Sequence, residues 1–217
     1  MSAWRILLQA VADAWAENVE RFSEIDSAYG DGDHGVTMGK IARLISREVG
    51  SPGATGETPG DATTIKQVLR RIGNGVMAIG GGSAGPLYGT LFLGLAAPLD
   101  PGAQATDAAT LAAMIVGARA ELSTITKARV GDKTMVDALA PAAEAAWEAR
   151  GDGIVAVLGA AAQAAAEGAD ATANMIARFG RARSYGEQTV GTPDAGALST
   201  SLLFKGLNDG LAKLGRA

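Results

Sequence analysis

Asp26, Asp31 and Asp33 fall within eight positions, and only Gly32 separates the last two. In an extended loop, residues two apart project to the same side, so the Asp31 and Asp33 carboxylates converge. At ~4 Å and an effective dielectric near 20, each like-charge pair costs on the order of 4 kcal/mol, which a loop normally relieves by splaying. Flanking glycines favour tight convergence instead. Hard oxygen ligands without Cys or paired His select Mg²⁺ or a similar cation, usually held by a few carboxylates together with substrate phosphates. The alternative is a solvated turn in which the aspartates cap helices, because Asp-Gly is common in turns. The spacing excludes an EF-hand, which needs further ligands and a closing Glu. An aspartyl-phosphatase reading of Asp31-x-Asp33 lacks the hydrophobic strand that should precede it.

His34 is the only histidine. It either caps the helix starting near Gly35 or, beside two aspartates, hydrogen-bonds a phosphate or holds a carboxylate. A nucleophilic triad has no second His or Cys to draw on, and Ser83 has no obvious base. The run from Gly80 to Pro86 ends at a helix N-terminus, where free N–H groups and the helix dipole suit a phosphate. It is neither a Walker loop, lacking Gly-Lys-Ser/Thr, nor a Rossmann fingerprint, lacking a preceding strand. Close helix packing is its alternative explanation. Arg181 and Arg183 are candidate phosphate donors, or solvated surface residues.

The elements that must position these groups read as helices. Leu8, Val11, Trp15, Val19 and Phe22 recur at helical spacing and predict one amphipathic helix over 3–23, with Ser2 as N-cap. Met38, Ile41, Ala42 and Ile45 repeat the pattern. A surface loop is expected at 50–60, followed by a capping box, Thr64 to Gln67, opening a helix with Ile65, Val68, Leu69 and Ile72 on one face. Pro86 suits the first turn of a helix carrying Leu87, Leu91 and Leu95, and Thr106 precedes another from Leu111 to Ile125. Residues 133–149, 153–178 and 196–214 continue likewise. The expectation is about eight helices, no convincing sheet, and an all-α bundle. Glycines gather at four junctions between helices: 30–35, 80–85, Gly131, and 186–196. That is more than helix C-caps require, so a ligand is the economical explanation.

Composition narrows the function. The 217 residues carry 19 basic and 23 acidic side chains, a net charge of −4, which argues against an electrostatic grip on nucleic acid or an anionic membrane. Zero Cys excludes disulfides, Cys zinc sites and thiol catalysis. The N-terminal segment is interrupted by charges and reads as neither a signal peptide nor a membrane span, and no other uncharged run qualifies as a span. A cytoplasmic protein is expected.

Together these junctions resemble the ADP-binding L subunit of dihydroxyacetone kinase and the matching C-terminal domain of single-chain kinases of that family, over nearly the whole chain. The marks are Asp26-x4-Asp31-Gly-Asp33-His34-Gly35 with Met38; Gly85-Pro86-Leu87-Tyr88-Gly89-Thr90; Gly131-Asp132-Lys133-Thr134-Met135; Gly180-Arg181-Ala182; and Gly186-Glu187 with Gly191 and Asp194-Ala195-Gly196-Ala197. Each is weak alone, but their order and spacing are specific. The resemblance implies one nucleotide-binding domain over residues 1–217, an antiparallel eight-helix barrel with the nucleotide held at one end by interhelical loops. It implies that Asp26, Asp31 and Asp33 bind two Mg²⁺ ions bridging the phosphates of ADP or ATP. His34, Gly35, Val36, Thr37, Ser83 and Ala84 would line the phosphates; Thr126, Met135, Arg181, Asp194, Ala195 and Gly196 would surround the rest of the nucleotide.

In that family a separate K subunit or domain binds the keto-sugar, so the resemblance implies a phosphotransfer subunit acting with a K-like partner. Phosphate would come from exchangeable ATP or from a phosphotransferase-system phosphocarrier that rephosphorylates bound ADP. The chain departs from the family at Ala84 (often Ser), Thr126 (often Gly) and Ala195 (often Pro), which bears on affinity and nucleotide choice. Gln188 stands where some relatives have Arg, which bears on the phosphate donor and the partner surface. Competing readings are a regulatory Mg-nucleotide module without turnover and the nucleotide domain of fatty acid kinases. His34 weighs against the latter, whose motif usually has Thr after the second Asp.

Overall fold

The computed structural model describes residues 2–50, 64–80 and 82–215. Among them there are nine α-helices and no strand: α1 (Ser2–Ala16), α2 (Val19–Ser27), α3 (His34–Gly50), α4 (Ile65–Met77), α5 (Ala84–Ala96), α6 (Ala108–Ile125), α7 (Val136–Glu148), α8 (Ile154–Ala171) and α9 (Ala195–Leu214). The all-α expectation holds. The loop expected at 50–60 lies, from residue 51 on, outside the described residues.

Eight of these helices form a closed ring. Each of α3 to α9 packs on the next, and both α3 and α9 pack on α1. Neighbours run antiparallel: Gln9 of α1 bonds Ser46 of α3 while Val19, past the end of α1, touches Gly39. Likewise Arg71 of α4 meets Glu48 of α3 while Gly75 meets Leu44. Closure of α9 on α1 depends on absent side chains: a Cβ on Gly206 would come within 2.7 Å of the Val11 Cα, and one on Gly210 within 2.8 Å of the Leu7 Cα. The interior is filled by Trp15, Phe22, Met38, Leu69, Tyr88, Phe92, Leu122 and Phe204, all essentially inaccessible. Trp15 meets Tyr88 and Phe92 edge to face.

An even-membered antiparallel ring gathers alternate N-termini at one end. The starts of α3, α5, α7 and α9 therefore lie together with the C-termini of α4, α6 and α8. Each N-terminus carries the positive end of a helix dipole, so this end of the ring favours anions.

Three boundaries differ from the sequence expectation, each for a local reason. The helix expected over 3–23 breaks at residues 17–18, where the Asn18 side chain bonds the Ala14 carbonyl at 2.8 Å, and α2 sets off in a new direction. Helix α7 starts at Val136 rather than 133, because Lys133 adopts φ 61° in a tight turn. Helix α8 ends at Ala171 rather than 178, where its last turn tightens into the 3-10 turn Thr172–Asn174. The Thr172 carbonyl is taken by Lys133 and the Ala173 carbonyl by the Gly191 N–H. The capping box at Thr64 forms as expected. The cap of α6 is Asp107, which accepts the Thr110 N–H at 2.7 Å, rather than Thr106.

Helices α6 and α8 are long and apolar enough to cross a bilayer by length and composition, but each carries two charged residues, Arg119 and Glu121 in α6 and Glu167 and Asp170 in α8, so neither is the uncharged run whose absence is expected. Both are rich in alanine and contribute Leu111, Met114, Ile115, Val157 and Leu158 to the ring's interior.

Candidate functional site

A cavity of about 450 Å³ opens at the end of the ring where the four helix N-termini meet. Its wall takes Asp33 and His34 from α3's start, Ser83 and Ala84 from α5's, Met135 and Val136 from α7's, and Asp194, Ala195 and Gly196 from α9's.

The three aspartates converge there. One carboxylate oxygen from each of Asp26, Asp31 and Asp33 lies within 4.8 Å of the others. Asp26 reaches the site from the last turn of α2 because Gly30 leaves room: a Cβ on Gly30 would overlap the Asp26 carboxylate at 2.2 Å. Gly35 lets α3 start against α2, since a Cβ there would lie 2.1 Å from the Val19 carbonyl. The Asp26 carboxylate accepts the His34 N–H at 3.3 Å, and Arg181 forms an ion pair with Asp31. Burial pushes the Asp33 carboxyl above the usual carboxylate range, the charges of Asp31 and Asp26 add to this, and Arg181 opposes it. Three carboxylates and no sulfur, with mutual repulsion that a positive charge would relieve, make a donor set that fits a hard divalent cation.

His34 turns inward. Its Nε2 lies 2.9 Å from Ser199 Oγ, its ring meets Phe22 edge to face, and burial holds it below the usual imidazole range despite the Asp26 charge. A neutral imidazole joins α3 to α9. Ser199 Oγ also meets the Tyr88 hydroxyl at 2.6 Å, and that hydroxyl donates to the Gly196 carbonyl or the Thr200 hydroxyl.

The remaining sequence candidates divide. Thr126, Met135, Arg181, Asp194, Ala195 and Gly196 line the cavity with Ser83 and Ala84. Gly35, Val36 and Thr37 do not: Gly35 is packed on α2, the Val36 side chain is 52% exposed, and the buried Thr37 gives its N–H to the Asp33 carbonyl. Their contribution is the backbone of α3's first turn. Arg183 is exposed and away from the cavity wall. Gln188 accepts a hydrogen bond from the Tyr29 hydroxyl through its carbonyl, and the Tyr29 and Tyr185 rings lie 5.2 Å apart. These contacts tie the 3-10 segment Arg181–Thr189 to the aspartate loop.

Sequence reasoning assigned no role to Tyr29, Tyr88, Lys133 or Thr134, all of which line the cavity. Tyr88, Lys133 and Thr134 stand inside motifs that had been noticed as patterns, and only their neighbours across the ring give them work. Asp137, outside the motifs, is 1% exposed and accepts the N–H groups of Gly131 and Thr134 at 2.6 and 2.7 Å.

A ring of antiparallel helices with its N-termini and an acidic triad around one cavity defines a helical bundle that sets clustered carboxylates beside positive helix-dipole ends. The chain belongs to the DAK2 domain family, which matches residues 28–209. It is 36% identical over 203 residues to the D-erythrulose kinase of Mycolicibacterium smegmatis, covering 92% of this chain and 34% of that protein. It is 32% identical over 189 residues to the ADP-binding subunit DhaL of the PEP-dependent dihydroxyacetone kinase 1 of Listeria innocua, covering 87% and 85%. Thus the chain spans about a third of the length of the first of these curated relatives. Its fold matches the dihydroxyacetone kinase of C. freundii in its native form with a TM-score of 0.72 at 24% identity, over 96% of this chain and 34% of that one. The same enzyme in complex with AMP-PNP and Mg²⁺ matches with a TM-score of 0.69 at 25% identity, over 94% and 33%.

Proposed function

We propose that this chain is one Mg-nucleotide-binding unit that carries out phosphotransfer in a short keto-sugar kinase, together with a substrate-binding unit of the K type. The observation that carries this reading is the convergence of Asp26, Asp31 and Asp33 on a cavity walled by four helix N-termini. Relatives named for dihydroxyacetone and erythrulose kinases support the substrate class, a short ketose. A cytoplasmic setting accords with use of ADP or ATP.

Asp26, Asp31 and Asp33 would hold the metal, two Mg²⁺ ions in this reading. When bound, Mg²⁺ would neutralise phosphate charge so that a terminal phosphoryl group can transfer in line. The chain's own contribution is positioning. No side chain caps α5, so the N–H groups of Ala84 and Gly85 remain available to phosphate oxygens. The first turn of α3 offers those of Gly35 and Val36. Gly82 brings α5's start beside Asp33, since a Cβ on it would lie 3.8 Å from that carboxylate. Arg181, held by Asp31 in the unliganded site, is a cation that the metal would displace and the phosphates could take up. Ile125, Thr126, Ala128, Met135 and Phe179 supply a more apolar wall for the base and ribose. The substrate hydroxyl would come from the K-type partner, with ATP or a phosphocarrier protein restoring the bound nucleotide.

Isothermal titration of the purified chain with ADP, with Mg²⁺ and then with EDTA, tests the reading. Binding should require the cation, because the three carboxylates have Arg181 as their positive partner and still repel phosphate. Equal affinity in both conditions would sink the metal assignment.

A further inference from the structure

Lys133 stands out among the groups that the proposed chemistry leaves unused. It is 5% exposed, and it is the only non-glycine among the described residues with positive φ, 61°. A β-carbon in that region is strained, so the surroundings must hold the residue there. They do so through its charge. The ammonium donates to the Thr172 carbonyl at 2.6 Å and to the Thr192 carbonyl, acceptors lying 39 and 59 positions away along the chain. It lies within the electrostatic reach of the Asp137 and Asp194 carboxylates, while burial pulls its pKa below the usual lysine value.

Of the three segments it joins, the turn before α7 and the turn before α9 line the cavity, and the end of α8 is tied to both through Thr172. Asp137 fixes the Gly131–Thr134 turn from one side. The Thr172 hydroxyl accepts the Asp194 N–H at 2.9 Å, and the Asp194 carboxylate caps α9 by accepting the Ala197 N–H at 2.7 Å. The Arg178 N–H reaches the Asp132 carbonyl. Without the ammonium, the Thr192 carbonyl loses the Lys133 donor, the Thr172 carbonyl keeps only the Met175 N–H, and the Asp194 and Asp137 carboxylates lose a nearby positive charge.

We infer that Lys133 is a positioning residue of the nucleotide site: its ammonium clamps the turn before α7 to the end of α8 and the turn before α9, and so sets Met135 and Asp194 to Gly196 at the cavity wall. This rests on the nucleotide reading above. The aspartate cluster, Asp26 on α2 with Asp31 and Asp33 in the loop before α3, lies outside the clamp, so nucleotide affinity and bare metal affinity should respond separately.

The chain has no Cys, so Lys133→Cys introduces a unique thiol that can be aminoethylated in the unfolded state with bromoethylamine, restoring an ammonium on a side chain of lysine's length. Expected is a loss of Mg-ADP affinity of roughly tenfold or more in Lys133→Met and in unmodified Lys133→Cys. Mn²⁺ binding without nucleotide should be unchanged, and aminoethylation followed by refolding should recover most of the Mg-ADP affinity. Unchanged Mg-ADP affinity in Lys133→Met would overturn the clamp. So would a parallel loss of Mn²⁺ binding, which marks a general folding role, or an aminoethylated protein that binds Mn²⁺ normally without regaining nucleotide. Failure of the wild type to bind Mg-ADP would overturn the nucleotide reading and this role with it; a binding wild type beside unaffected variants overturns the role of Lys133 alone.

Discussion

Asp33 is a residue whose fold is arranged against its own ionisation. Burial and the neighbouring charges of Asp31 and Asp26 raise its pKa, so without a cation its stability contribution is present at low pH and is lost as pH rises through its folded value. Were it a structural cap, its carboxylate would bond α3's first turn. Among the described residues it makes no such bond, and the nearest first-turn N–H, that of His34, goes to Asp26. Asp33→Asn should therefore leave the unliganded melting temperature unchanged or raise it. With Mg-ADP at a hundredfold excess over its dissociation constant, the wild type gains about 2.7 kcal/mol by linkage, a gain the variant should largely lose. Melting curves of both proteins, with and without Mg-ADP, provide the comparison. A variant that melts well below wild type unliganded, yet keeps the full ligand shift, would show Asp33 to be a cap.

Helix α9 has two tasks, closing the ring and presenting its N-terminus to the cavity. Closure rests on the close approach at Gly206, and Gly206→Ala forces its methyl into the α1 backbone at Val11. A helix-favouring substitution should thus destabilise by about 1–3 kcal/mol through overpacking, against its propensity gain. Chemical denaturation measures this, and a stabilised variant would contradict the contact. At the other end, burial pushes the α9 cap Asp194 up to about 7, with the charges of Asp137 and Asp26 adding and the Ala197 N–H and Lys133 opposing. Its folded pKa exceeds the ordinary 3.8. Its contribution is therefore complete below pH 3.8, declines as pH rises to about 7, and is level above that. Thermal melts of the unliganded protein from pH 4 to 8 should show this decline, and Asp194→Asn should flatten it. An equal slope in both proteins would assign the pH dependence elsewhere.

For the whole molecule, the ring geometry concentrates the chemistry at one end. Four N-termini, the acidic triad and the cavity coincide there, and the chain's one histidine, His34, is engaged with Ser199 and Phe22. The chain alone should not phosphorylate dihydroxyacetone or erythrulose with Mg-ATP, and turnover should appear on adding a K-type subunit. A coupled assay for ADP release checks this. Robust turnover by the isolated chain would mean that the sugar site lies within it.

Much of this was legible in the sequence because it is local. Helical periodicity, the Thr64 capping box and the glycine junctions depend on residues within a few positions of each other, and the spacing of Asp26, Asp31 and Asp33 with Gly30 and Gly32 points to converging carboxylates, with a solvated turn as the alternative. The order of motifs along the chain carried the family. What the tertiary structure alone decided involves partners far apart in sequence. The late start of α7 and the early end of α8 go with a lysine reaching 39 positions to Thr172, and Tyr88 acquires its place only because Ser199 and Gly196 cross the ring to meet it. Periodicity reports which face of a helix is buried, but a buried polar group is defined by the acceptor it finds, and that acceptor is fixed only when the ring closes.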